Sequence, residues 1–135
     1  ADDASWVVLG RPAARAVALN DITNADALAF VQDRLKKLGV DKVREIAMRF
    51  PHVDVAILCA GAARVGAFDN AALTLTADDT LKVARILGRP TVVPVHAEGW
   101  AHFSEGHAEL RAAFEGTDVE DRLNIPESGR AVNLA

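Results

Sequence analysis

The chain has 135 residues, half of them hydrophobic and a quarter charged, with a formal net charge of -4; that size suits one compact domain with one core, and that composition excludes an intrinsically disordered chain. Acidic and basic residues are interspersed with no basic stripe, so DNA and RNA are not expected partners. No apolar run approaches the roughly 18 to 20 residues that span a bilayer, and no basic segment precedes an apolar one at the amino terminus, so no membrane association is expected.

Taken in order, short β-branched runs alternate with amphipathic stretches, which predicts a layered α/β fold with parallel strand pairings. Strands are expected over residues 6–9 and 16–19, followed by a helix over 24–38 with Leu28, Val31, Leu35 and Leu38 on one face and Gly39 as its stop. A second helix starts with Asp41 as N-cap, presents Val43, Ile46, Ala47 and Phe50 at helical spacing, and ends at Pro51. The apolar run 53–58 predicts a strand covered on both faces. Residues 60–70, rich in Gly and Ala, predict a loop. Thr76, with Asp79 three residues on, approximates a capping box that opens a third helix, and Gly88 and Pro90 stop it. A strand over 91–95 follows, then a fourth helix from Ser104 with Leu110, Ala113 and Phe114 inward and Gly116 at its end, and a last strand over 131–134. The sum is about five strands and four helices in a single domain.

Cys59 is the chain's one cysteine and can form no internal disulfide, which fits a reducing, cytoplasmic setting and a buried, inert thiol. The first residue is Ala1, as expected of a chain that is processed, excised from a longer one, or engineered.

The segment with chemical content is 91–107, TVVPVHAEGWAHFSEGH. It places His96 at the carboxyl end of a strand, the rim at which α/β folds present functional groups. A neutral imidazole there can offer one ring nitrogen to a metal while the other donates to an orienting acceptor; the bland role is a rim histidine bonded to the backbone.

The run VREIA at 43–47, then FPHVDVAIL at 50–58, GAAR at 61–64, LTLT at 73–76, VVPVHAEGWAHF at 92–103, DRL at 121–123 and PESG at 126–129 resembles the second half of a metallo-β-lactamase-superfamily hydrolase over about residues 42–135. The resemblance implies half of an αββα sandwich, with His96 in the place of the family's last metal ligand, Trp100 and His102 lining the pocket beside it, and zinc as the metal. Aromatic and imidazole packing of the loop is the bland role of those two.

The chain departs from the family in two respects. The cluster His-x-His-x-Asp-His of the family's first half is absent, and the bridging aspartate has only Asp21 as a counterpart, separated from the matching run by an extra helix. Asp21, in Asn20-Asp21-Ile22-Thr23-Asn24, equally suits a turn or a helix cap. A catalytic zinc generally needs three protein ligands and an open position, so the lone chain is expected to be catalytically incomplete. Its partner is then expected to be a complementary half-domain or a second copy, because an absent half leaves apolar surface bare. Residues 1–40 fall outside the resemblance. They are faintly similar to short-chain dehydrogenases, but the glycine fingerprint, the Tyr-x-x-x-Lys pair and every tyrosine are missing, so no nucleotide cofactor is expected. Gly-x-Ser-x-Gly and Walker motifs are also absent. Two functions follow: a metal-dependent hydrolase lineage whose ligands are completed elsewhere, or a non-catalytic α/β scaffold that self-associates.

Overall fold

Two five-residue runs, VAILC and TVVPV, form the middle of a parallel sheet. The computed structural model describes residues 8–9, 40–66 and 70–134, with the side chains of 42–66 and 70–134. The elements run β1 (Val8–Leu9), α1 (Val40–Arg49), β2 (Val55–Cys59), α2 (Ala77–Ile86), β3 (Thr91–Val95), α3 (His107–Phe114) and a 3₁₀ turn at Glu120–Arg122. The expected strand over 16–19, the helix over 24–38 and Asp21 lie outside the described residues. The architecture is a mixed α/β layer, as the alternating pattern predicts.

Strand order is β1-β2-β3, all parallel. Val8 and Leu9 pair with Ile57 and Leu58, while β2 and β3 pair along their whole length, from Val55 opposite Thr91 to Cys59 opposite Val95. Pro94 sits in β3 without breaking this ladder, and the parity of the strand explains why. Thr91 N–H donates to Asp54 and Val95 C=O accepts from Ala60, so odd residues face β2; Val92 C=O accepts from Asn124 N–H at 2.8 Å, so even residues face outward. The donor that Pro94 lacks is therefore missing from the outer edge, where a proline is tolerated.

In β2, Ala56 and Leu58 are buried while Val55, Ile57 and Cys59 are half-buried, so one face of this strand is fully covered and the other is not. The buried face packs on Val43 of α1, Val83, Ala84 and Leu87 at α2, Phe114 of α3 and Val119. The continuous apolar run 53–58 predicted cover on both faces; burial instead alternates, the pattern of a strand packed on one side.

Most expected inward residues of the described helices are kept, Phe50 excepted, and the helix expected from Ser104 starts at His107, after Gly106 as its N-cap. In α1, Asp41 falls inside the helix, and Phe50 is 39% exposed because the helix stops at Arg49 and its spacing no longer applies. Thr76 caps α2 by accepting from Asp79 N–H at 3.1 Å, and the chain leaves it through Gly88 and Arg89, both at positive φ. In α3, Leu110 and Phe114 are buried, and the Gly106 N–H holds the Glu109 carboxyl below the ordinary carboxylate range.

Residues 131–134, read as a strand, form no ladder among the described residues. Residues Leu123 and Asn124 already bind the outer edge of β3 at Val92, so a final short apolar run finds no strand to extend there.

Candidate functional site

The carboxyl ends of β2 and β3 create the rim on which His96 stands, the first residue past Val95. Its backbone takes a positive φ of 51°, a conformation costly for a residue with a side chain. Neighbouring contacts hold it there. Ala60 N–H donates to Val95 C=O at 3.0 Å, and Gly61 lies so close to the His96 carbonyl that a Cβ at position 61 would collide with it. Glycine is required at 61 by that approach.

Parallel register sets Cys59 opposite Val95, and Cys59 Sγ reaches His96 Nδ1 at 3.4 Å. Cys59 is half-buried, and burial pushes its thiol above its ordinary value, so it stays neutral near neutral pH. The expectation of an inert cysteine without a neighbour in sequence therefore missed a contact that only strand register makes.

The loop after His96 is tied back to the segment after β2. Arg64 N–H donates to His102 C=O at 2.8 Å, Ser104 and Glu105 N–H both donate to Gly61 C=O, and Ser104 Oγ donates to Ala62 C=O. Arg64 Nε donates to Ser104 Oγ at 3.0 Å, and Glu105 Oε2 accepts from Ala77 N–H at 2.6 Å, which fastens the start of α2 to the same loop. Glu98 lies 3.1 Å from His107 Nδ1.

Trp100 and His102 stand on the outside of this loop. Trp100 is 69% exposed, its ring centroid is 5.8 Å from that of His102, and His102 meets Phe103 edge-on at 4.6 Å. Their rings meet at a tilt of 50°, and neither residue lines the cavities of about 590 and 260 Å³ that lie beside the outer edge of β3 and near the amino ends of β2 and β3.

As a metal site the arrangement is partial. An exposed imidazole with a nearby thiol suits a zinc-class cation, but among the described residues no group of three or more His, Cys, Asp or Glu side chains could hold one. His96 fits one ligand position; the described residues alone do not complete a hydrolytic site.

No protein-family model and no curated protein matches the chain. Solved structures do. An isothiocyanate hydrolase from Delia radicum gut bacteria superposes with a TM-score of 0.58 at 26% identity, covering 67% of this chain and 34% of that one. A possible metal-dependent hydrolase from Veillonella parvula DSM 2008 gives the same TM-score and coverage at 20% identity. The chain thus spans about a third of the length of these structures, and what it shares with them is a hydrolase-type α/β fold.

Proposed function

We propose that the chain belongs to a metal-dependent hydrolase lineage of the metallo-β-lactamase superfamily and contributes His96 as one zinc ligand. The observation that carries this reading is the position of His96: exposed, at the carboxyl end of β3, with its backbone braced by Gly61 and its ring beside Cys59. The VVPVH run that ends there is the part of the sequence most like that family, and the likeness to two hydrolase structures supports the fold.

Zinc bound there would supply a polarised water, which is the chemistry that three ligands and an open position provide. The remaining donors come from Asp21 and from a complementary half-domain or a second copy of the chain. Trp100 and His102 form the wall beside the ligand once that partner is in place. The lone chain is then a weak catalyst or none, and it works in the cytoplasm, where a single thiol stays reduced.

Metal content and solution mass of dialysed protein test the reading together. Zinc near one per assembled site, lost in His96→Ala, is the expected result, and ester, lactone, phosphodiester and isothiocyanate substrates are then assayed on the loaded assembly. Metal-free protein that takes up no added zinc overturns it.

A second reading has its own support. Met48 is 77% exposed and Trp100 69% exposed, bare apolar side chains that suit a non-catalytic α/β scaffold closing on its own copies. A folded, metal-free oligomer that dissociates in Trp100→Ser or Met48→Ser favours it.

A further inference from the structure

Three stretches of chain meet at the amino ends of β2 and β3, the strand ends away from the His96 rim. They are residues 51–54 before β2, the turn 87–90 before β3, and Arg122 of the 3₁₀ turn, and together they line the cavity of about 260 Å³. Leu87 and Pro90 are its buried, apolar part. Each stretch also brings one side chain that donates hydrogen bonds: His52, Arg89 and Arg122.

The two guanidinium groups are engaged from outside the cavity and still have donors to spare. Arg89 places one nitrogen 2.7 Å from Asp118, a carboxylate that it shares with Arg85. Arg122 Nε lies 3.6 Å from Asp121, too far for a hydrogen bond. A guanidinium has five N–H donors and keeps its charge at every working pH, so one ion pair leaves several donors unused. His52 hydrogen-bonds no described residue. Among the lining side chains two fixed positive charges, Arg89 and Arg122, stand against one carboxylate, Asp54, in a chain whose net charge is -4. That local surplus favours an anion.

The donors come from three separate stretches. A planar carboxylate is satisfied by a single arginine fork, whereas a phosphoryl group offers three acceptor oxygens pointing apart. Asp54 opposes a bare oxyanion but accepts from a hydroxyl. The volume is just below the roughly 300 Å³ at which sites for drug-sized ligands begin, so the ligand is small.

We propose that this cavity binds a small phosphomonoester that also carries a hydroxyl: the phosphoryl oxygens accept from Arg122, Arg89 and His52, and the carrier hydroxyl donates to Asp54. The site is independent of any role of His96.

The test is titration of the ¹⁵N-labelled chain with inorganic phosphate and with glycerol 3-phosphate, near pH 7.5, where a phosphomonoester with a second pKa of about 6 is a dianion. Sodium chloride of matched ionic strength is the control. Saturable shifts are expected in the amides of His52, Val53, Asp54, Gly88, Arg89 and Arg122, with glycerol 3-phosphate bound roughly tenfold more tightly than phosphate, the worth of one hydrogen bond to a charged group. Arg122→Gln is expected to weaken both ligands roughly tenfold for the same reason. Arg122→Lys, which keeps the charge and loses the fork, is expected to fall between. Asp54→Ala is expected to narrow the gap between the two ligands, and amide dispersion checks that each variant is folded. Unsaturated shifts that sodium chloride reproduces overturn the proposal, as does a folded Arg122→Gln chain that binds like the parent. Equal affinity for phosphate and glycerol 3-phosphate overturns the contact between Asp54 and a carrier hydroxyl.

Discussion

Gly61 and His96 share a backbone contact so close that position 61 has no room for a side chain: a Cβ there would strike the His96 carbonyl oxygen and come within 2.9 Å of the Phe103 ring. The oxygen is backbone and cannot swing aside. Gly61→Ala is therefore expected to destabilise the fold by about 1–3 kcal/mol, the usual range for overpacking. Urea denaturation reads the loss. A variant as stable as the parent shows that the two strand ends separate freely, and it removes the bracing argument for His96.

Phe114 closes the core from α3 at 1% exposure, and Leu58 fills it from β2 at 0%. Phe114→Ala is expected to cost about 3–5 kcal/mol and Leu58→Ala about 2–5 kcal/mol, from lost burial plus the cavity left behind. Either figure approaches the whole stability of a small domain. Circular dichroism during thermal unfolding tests this; melting midpoints equal to the parent's contradict the packing described.

At the start of α2 two acceptors hold two first-turn donors: Thr76 Oγ1 takes Asp79 N–H at 3.1 Å and Glu105 Oε2 takes Ala77 N–H at 2.6 Å. Thr76→Ala is expected to lower stability by about 1 kcal/mol through the lost cap. Glu105→Gln keeps an acceptor oxygen and is expected to lose less than Glu105→Ala. If the two substitutions at 105 act equally, the carboxylate is not what fastens the loop to the helix.

Asp118 accepts from Arg85 Nε at 2.9 Å and lies 2.7 Å from an Arg89 nitrogen. The Arg85 hydrogen bond, followed by the charges of Arg85 and Arg89, holds its carboxyl below the ordinary aspartate range. A carboxylate with a lowered folded pKa contributes stability above its unfolded value, near pH 4, and that contribution disappears as the pH falls through the folded value. Carboxyl NMR titration is expected to show Asp118 ionising below the ordinary aspartate value, and Arg85→Ala is expected to raise it. An unchanged midpoint in Arg85→Ala assigns the shift elsewhere.

The helices and the two long strands were legible because their signals are local. Thr76 and Gly88 bracket α2, Gly116 follows the end of α3, and the apolar runs before Cys59 and His96 lie within two residues of the strands that form. Of the candidate site, the placement of His96 at a strand end was legible. Its neighbour Cys59 is 37 residues away in sequence, and nothing local in either run states that their ends meet. Trp100 and His102 were read as lining a pocket beside His96 or as packing the loop; their rings meet at a tilt, and the direction of a loop side chain depends on tertiary ties such as Arg64 to His102, which no periodicity encodes. The run 131–134 forms no strand for a related reason: strand propensity is a demand for a ladder, and at Val92 the outer edge of β3 is already taken by Leu123 and Asn124.

The described pairing of β1 bears on how the sheet survives challenge. Among the described residues, two of β1 register with β2, against five for β2 with β3, although the intervening chains of 45 residues (positions 10–54) and 31 residues (60–90) differ by only about 0.3 kcal/mol in closure entropy. Ladder length, and not loop length, therefore ranks the two pairings. When β1 detaches, the strand that carries Leu58 and Cys59 becomes a sheet margin, with N–H and C=O groups open to any extended chain that arrives. Local opening at this one seam is the route by which copies of the protein would join edge to edge and aggregate, well before the core around Phe114 gives way.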